Sequence, residues 1–314
     1  DPVPLGEAMK PSREARENWW IASYTAITYG ASAVPGEEFA PAADEPEQEN
    51  LRDEQQPETA EQAGATADAP WHRFPRGASA GTFLHELLEW CGNQGFARTR
   101  AEPEALRLML ETRCASRNWQ DYVPDLQEWM QRLMDARFTL PGGDDCALID
   151  LQVQIPELEF WFESHQVDTR ALDRLVSTYI LPGRPRPAAS GVTFNGMLKG
   201  FVDLVFEYRG RYYVMDYKSN VLGPDSDCYS QPEMEARILE KRYDLQYAIY
   251  LLALHRLLKA RLPDYRYDTH MGGALYYFLR GVDAPGAGVF TDLPDERMID
   301  GMDQLFRATT GEAA

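Results

Sequence analysis

The 314-residue sequence predicts an α/β or α+β domain built on one central sheet. Three observations carry that expectation. Windows with apolar residues at helical spacing recur along the chain, and runs of alternating or continuous β-prone residues lie between them. Hydrophobic residues make up 44% of the chain, enough for a packed core. No apolar run approaches the roughly 18 residues of a membrane span, and no signal-peptide pattern opens the chain.

The elements follow in order. Phe83–Cys91 (FLHELLEWC) reads as a helix, with Ser79 or Thr82 as its N-cap and Gly92 just past its end. Pro103–Ala115 and Leu126–Ala136 read as two more helices. Cys146–Val153 (CALIDLQV) alternates as a strand, and Leu158–Phe162 is a second candidate. Asp168–Ile180 is helical, and the Pro-rich stretch Leu181–Pro187 breaks it. Two strands follow, Leu198–Tyr208 and Arg211–Tyr217, then a long amphipathic helix, Tyr243–Leu262, stopped by Pro263. Gly273–Leu279 reads as a buried strand and Pro294–Phe306 as a last helix.

The N-terminal part differs. Asn18–Tyr29 (NWWIASYTAITY) is aromatic and β-prone, and is expected to be a short piece packed on a neighbouring domain. The chain opens on Asp1 rather than Met, so it is expected to belong to a longer protein. Between Gly36 and Pro70 stand eleven acidic residues against the single Arg52, with Phe39 and Leu51 the only large apolar residues. Such a stretch cannot bury enough surface to offset its ordering entropy and reads as a disordered linker. Its deletion is therefore expected to leave the melting temperature nearly unchanged; a large fall in a thermal scan would show that it packs.

The chain carries a net charge of −19 with a pI near 4.7, which argues against unaided capture of nucleic acid. Ten of those nineteen charges fall in the acidic stretch, so the argument is weak for the rest. Cys91, Cys114, Cys146 and Cys228 lack CxxC spacing, which disfavours a disulfide framework, a zinc site or an iron–sulfur cluster. A reducing cytoplasm is the expected compartment.

The most informative segment is FVDLVFEYRGRYYVMDYKSN. Arg209-Gly210 suits a two-residue hairpin turn, because glycine supplies the positive φ such turns need. Tyr208 then faces Arg211, and continuing that register sets Asp203 directly across from Asp216, with Cβ atoms roughly 5 Å apart. Lys218, two residues on, points to the same face, beside Val205 and Val214. The other face (Val202, Leu204, Phe206, Tyr213, Met215) is expected to pack on helices. Facing carboxylates repel. They are tolerated when a cation holds them, when one stays protonated, or when both reach solvent. An edge hairpin whose Asp and Lys form a salt bridge remains an alternative.

The spacing D-x₁₂-D-Y-K from Asp203 to Lys218 resembles the bipartite motif of the PD-(D/E)xK nuclease family. Four blocks in order are similar to the C-terminal nuclease domains of the RecB family of exodeoxyribonuclease V beta subunits. They are FPRGASAGTFLHELLEW around His85, GMLKGFVDLVFEYRGRYYVMDYKSN, YDLQYAIYLLALHR, and GGALYYFLRGV near the end. The similarity covers roughly residues 71–310, and NWWIASYT resembles the stretch before that family's linker.

The resemblance implies a restriction-endonuclease-like α/β core, a central mixed β-sheet flanked by helices, with extra N-terminal helices. It divides the chain into 1–35, following a helicase region; 36–70, an acidic linker; and 71–314, the nuclease. It implies hydrolysis of DNA phosphodiester bonds with Mg²⁺, Ca²⁺ substituting without supporting activity. The implied metal ligands are His85, Asp203, Asp216 and the backbone carbonyl of Tyr217, and the implied catalytic residues Asp203, Asp216 and Lys218. Gln246 and Tyr250, one helical turn apart, would meet DNA or brace the site. The implied partners are single DNA strands delivered by a motor, the RecC and RecD subunits, RecA loaded on the 3′ strand, and phage-encoded inhibitors. The implied setting is double-strand-break repair and foreign DNA degradation.

Taken by itself, His85 beside Leu84 and Leu88 would read as an ordinary core histidine. Glu159 is a further carboxylate for a second metal, whereas His72, His165, His255 and His270 show no ligand spacing. No G-x-x-x-x-G-K-[ST] occurs, so no ATP hydrolysis is expected of this stretch. Two rivals stand beside the nuclease: an interaction module that keeps the fold without catalysis, and a metal phosphohydrolase of small phosphate esters.

Overall fold

The computed structural model describes residues 20–23 and 69–307, so the acidic stretch lies almost wholly outside the described residues. A short strand β1 (Trp20–Ala22) comes first. Five helices follow: α1 (Pro70–Arg73), α2 (Ala78–Gln94), α3 (Phe96–Ala101), α4 (Pro103–Ala115) and α5 (Val123–Asp135). A two-stranded ribbon, β2 (Phe138–Thr139) and β3 (Asp145–Cys146), leads to the long strand β4 (Val153–Asp168) and helix α6 (Thr169–Tyr179). The central hairpin is β5 (Thr193–Tyr208) and β6 (Arg211–Lys218). Then come α7 (Gln231–Glu240), α8 (Tyr243–Arg261), α9 (Tyr267–His270), β7 (Met271–Phe278), β8 (Val289–Asp292) and α10 (Glu296–Arg307).

Six strands form one mixed sheet. β5 pairs antiparallel with β4 and with β6, β6 runs parallel to β7, and β8 closes the far edge antiparallel to β7. One face is covered by α6, α8 and α10, with Leu172, Ile249, Leu251, Met298 and Met302 in that core. The other is covered by α1 to α5, with Phe83, Leu87, Trp129 and Leu133.

Most elements fall where the periodicity puts them, and the departures have local causes. Helix α2 starts at Ala78 behind Gly77, whose φ of 112° and carbonyl serve the first turn, so neither Ser79 nor Thr82 caps it. It also runs past Gly92 to Gln94. Gly92 is there for packing: a Cβ at that position would lie 2.7 Å from Pro156 Cγ on β4. Cys146–Val153 is not one strand. The Asp150 carboxylate accepts a hydrogen bond from the Ala147 N–H at 3.1 Å, and this side-chain bond turns residues 148–150 into a short 3₁₀ turn.

Helix α8 is not amphipathic in the folded protein. Every residue from Tyr243 to His255 is buried, because the helix lies between the sheet and other helices. Residues 20–22 of NWWIASYTAITY run parallel to β5, pairing with Gly196, Met197 and Leu198, so this part adds a strand to the domain's own sheet. Among the described residues, no helix is long and apolar enough to cross a membrane.

Candidate active site

The hairpin forms in the expected register, with Leu204, Val205, Phe206 and Tyr208 paired to Met215, Val214, Tyr213 and Arg211. The pairing stops one position short of the two aspartates. There the Asp203 carboxylate reaches across and accepts the Tyr217 N–H at 2.6 Å, taking the place of a strand-to-strand bond. The alternation of β5 also breaks at this point. Val202, expected beside Leu204, lies instead in the α8-side core with Val205 and Val214. The break has a partner in β4, where Glu157 adopts a left-handed φ of 49° between the pairs Pro156–Leu204 and Leu158–Val202.

Helix α2 brings His85 to this break. Its Nδ1 lies 3.4 Å from Asp203 Oδ2, buried and without a well-formed hydrogen bond. On the other strand, Lys218 Nζ lies 2.9 Å from Asp216 Oδ2. All four side chains are buried. Asp203 thus faces the imidazole and Asp216 the ammonium, and the two cations together offset the repulsion between the carboxylates.

The electrostatics follow from that pairing. Burial disfavours the imidazolium of His85, but the charges of Asp203 and Asp216 outweigh it and push the group up to about 9. Burial likewise works against an ionised Asp203, yet His85, the Tyr217 N–H and Lys218 together hold its carboxyl below the usual range. Tyr217 packs edge-on against His85, ring centres 6.0 Å apart, and fixes that face of the imidazole.

Lys218 has a second support. Its ammonium sits 4.2 Å from the centre of the Tyr243 ring and 5.6 Å from that of Tyr276. Gln246 holds this seat: its Oε1 accepts from the Tyr276 hydroxyl at 2.6 Å and its Nε2 donates to the Tyr250 hydroxyl at 3.0 Å. Gln246 has no exposed surface, so of its two expected roles burial suits bracing rather than contact with DNA. Tyr243 and Tyr276 are site residues that the sequence did not single out. Tyr276 comes from β7, and only the parallel pairing of Asp216 with Tyr276 brings it near.

Glu159 is not at the site; it pairs with Lys199 at 3.2 Å, with a half-exposed side chain. The acid beside the site is Glu157, opposite Asp203, and its charge acts on buried Tyr217. The four remaining histidines lie elsewhere. His255 bonds Tyr265, His270 the backbone of Arg266, and His72 Ser226, while His165 faces Glu163.

Among the described residues, no three histidine, cysteine or carboxylate side chains converge on one point as a metal shell. The donor set nevertheless suits a divalent cation. It is one imidazole and two carboxylates, buried together, with one imidazole nitrogen lacking a hydrogen bond.

The sequence profile of the PD-(D/E)XK nuclease superfamily matches residues 58–313. The chain is 41% identical over 246 residues to the RecBCD enzyme subunit RecB of Escherichia coli (strain K12), covering 77% of this chain and 20% of that protein. Over 237 residues it is 34% identical to the RecB subunit of Haemophilus influenzae, covering 74% of this chain and 19% of that protein. Similarity to the RecB subunit of Mycobacterium tuberculosis (strain ATCC 25618 / H37Rv), 28% over 345 residues, extends to 97% of this chain and 30% of that protein. The chain spans about a fifth of the length of the first two of these relatives.

Proposed function

The chain belongs to the PD-(D/E)XK nuclease superfamily, and on that premise we propose that it hydrolyses phosphodiester bonds of unwound single DNA strands with Mg²⁺. The observation that carries this reading is the buried set of His85, Asp203, Asp216 and Lys218 at the end of the hairpin. Nucleases of this superfamily are generally dependent on divalent metals. His85, Asp203, Asp216 and the Tyr217 carbonyl would hold the ion, with Ca²⁺ binding there without supporting turnover. When bound, the ion supplies Lewis-acid stabilisation of charge on the phosphate.

The chain's own groups do the rest. His85 must give up its proton to act as a ligand, so loading the site releases a proton. Lys218 is seated on Tyr243 and Tyr276 as well as on Asp216, so the two rings would hold it beside a metal-ligating Asp216. From there its ammonium orients the nucleophile and offsets negative charge developing on the phosphate oxygens. Buried Gln246 keeps the aromatic seat from shifting.

The larger setting belongs to the same proposal. The relatives' name implies a RecBCD assembly, with RecC and RecD as partners and a motor delivering the strands. RecA loading and binding of phage-encoded inhibitors extend it further, as does a cytoplasmic location.

The test is release of acid-soluble nucleotides from single-stranded DNA with Mg²⁺, beside turnover of a small aryl phosphate ester. Cleavage of DNA alone is the expected result. Turnover of the ester without DNA cleavage would favour the phosphohydrolase, and inertness toward both would favour the non-catalytic module.

A further inference from the structure

Beside the hairpin a groove of about 350 Å³ opens between the sheet and α8, lined among others by Val205, Val214, Phe160, Phe162 and Tyr250. Val205 follows Asp203 by two residues and Val214 precedes Asp216 by two, and Tyr250 on the groove wall bonds Gln246, which holds the seat of Lys218. Arg256 lines the groove as well, and also lines a neighbouring cavity of about 550 Å³ together with Lys259, Arg307, His165 and Glu163. The two hollows therefore share the Arg256 side chain as a wall. The first is lined by apolar and aromatic side chains, and the second, the mouth, carries three cations.

Three cations stand here against Glu163 in the lining and Asp303 behind it, a net positive balance in a chain of net charge −19. The mouth is also built rather than incidental. Asp303 holds Arg256 through Nε at 2.6 Å and Arg307 at 3.0 Å, while Phe162 and Phe306 flank the Arg256 guanidinium. One terminal nitrogen of Arg256, Nη2, is buried without a hydrogen-bond partner. A buried donor of this kind takes a water or another acceptor at the edge of the hollow.

We propose that these two hollows, on either side of Arg256, are the track along which a single DNA strand reaches the site, with phosphates at Arg256, Lys259 and Arg307 and bases against Phe160 and Tyr250. The proposal rests on the nuclease reading and adds the path of the strand to it. A duplex does not suit these walls, because its bases stack on one another and offer no free face to an aromatic ring. An unpaired strand offers both a backbone charge and a base face at each step, which is what a cationic mouth with an aromatic floor recognises. Ala253, on the α8 wall, leaves room for it.

The experiment measures binding of fluorescent oligodeoxythymidylates in Ca²⁺, so that it reads the groove whether or not the chain cleaves. Wild-type affinity is expected to rise with length up to about a dozen nucleotides, within the range of single-strand grooves. Lys259→Glu with Arg307→Glu should weaken binding of the long strand by on the order of tenfold, and should lower the salt dependence by roughly 0.7 for each lost phosphate contact. Ala253→Phe, which fills the groove without touching the mouth, should remove the gain with length. Melting temperatures check that each variant folds.

Unchanged affinity and salt slope in the charge-reversal variant, with folding intact, would overturn the track. So would equal loss of oligodeoxythymidylate and polyglutamate binding, which would mark a general anion patch. Failure of wild type to cleave DNA in Mg²⁺ would instead remove the nuclease reading, and the two failures are read in separate assays.

Discussion

Asp216→Ala is expected to lower Mg²⁺-dependent cleavage of single-stranded DNA by roughly a thousandfold or more, the scale of removing a central charge-stabilising group. The substitution takes away a candidate metal ligand and the ion partner of Lys218 together. The fold should survive it. Loss of the pair with Lys218 is offset by relief of repulsion from Asp203, and the ammonium keeps its place over Tyr243. Mg²⁺ should raise the melting temperature of wild type and leave the variant unmoved, a readout independent of turnover. Activity within about tenfold of wild type would remove Asp216 from the catalytic assignment.

Asp203→Ala should be equally inactive but less stable. It strips the acceptor from the buried Tyr217 N–H and the counter-charge from His85, an orphaned donor costing about 1–3 kcal/mol. Asp203→Asn, which keeps an acceptor for that N–H, should recover part of the stability and none of the activity.

The largest stability effect is expected at Asp244, next to Tyr243 in the first turn of α8. Asp244 has no exposed surface and accepts from Arg242 at 3.0 and 3.2 Å and from Arg186 at 2.7 Å. Arg242 also reaches Asp173 at 2.6 Å, and Arg186 the carbonyls of Ile180 and Leu181. The cluster ties the Pro-rich break after α6 to the first turn of α8. Asp244→Ala would leave two buried guanidiniums short of their counter-charge, a cost of about 3–5 kcal/mol. At about 2–4 °C per kcal/mol for a domain of this size, the melting temperature should fall by roughly 10 °C. A shift near zero by differential scanning calorimetry would mean that water or a neighbouring acid replaces the lost charge. Because Tyr243 and Gln246 sit in that same helical turn, residual activity should fall more steeply with temperature in the variant.

Much of the site was legible in the chain because the information is local. A two-residue turn at Arg209-Gly210 between alternating runs sets the register, and the register sets Asp203, Asp216 and Lys218 near one another. The blocks around His85 and Gln246 carried the resemblance that placed those residues at the same site. Helices α4 and α6 were legible for a similar reason, since Pro103 starts one and the Asp168 side chain caps the other.

Other features depend on contacts between distant segments. That Glu157 rather than Glu159 stands by Asp203 follows from how β4 pairs with β5 and from one left-handed residue, and neither shows in a hydrophobic pattern. The same irregularity sends Val202 to the α8 side of the sheet. Full burial of α8 depends on the layers that close over it, and the seat of Lys218 needs Tyr276 from a strand that sequence places about sixty residues away. By itself, then, the sequence determined the hairpin, the charged residues it carries and the family, because turn chemistry and side-chain alternation act between near neighbours. Only the tertiary structure decided how the two carboxylates are held beside His85 and Lys218, because long-range pairing and desolvation set those contacts.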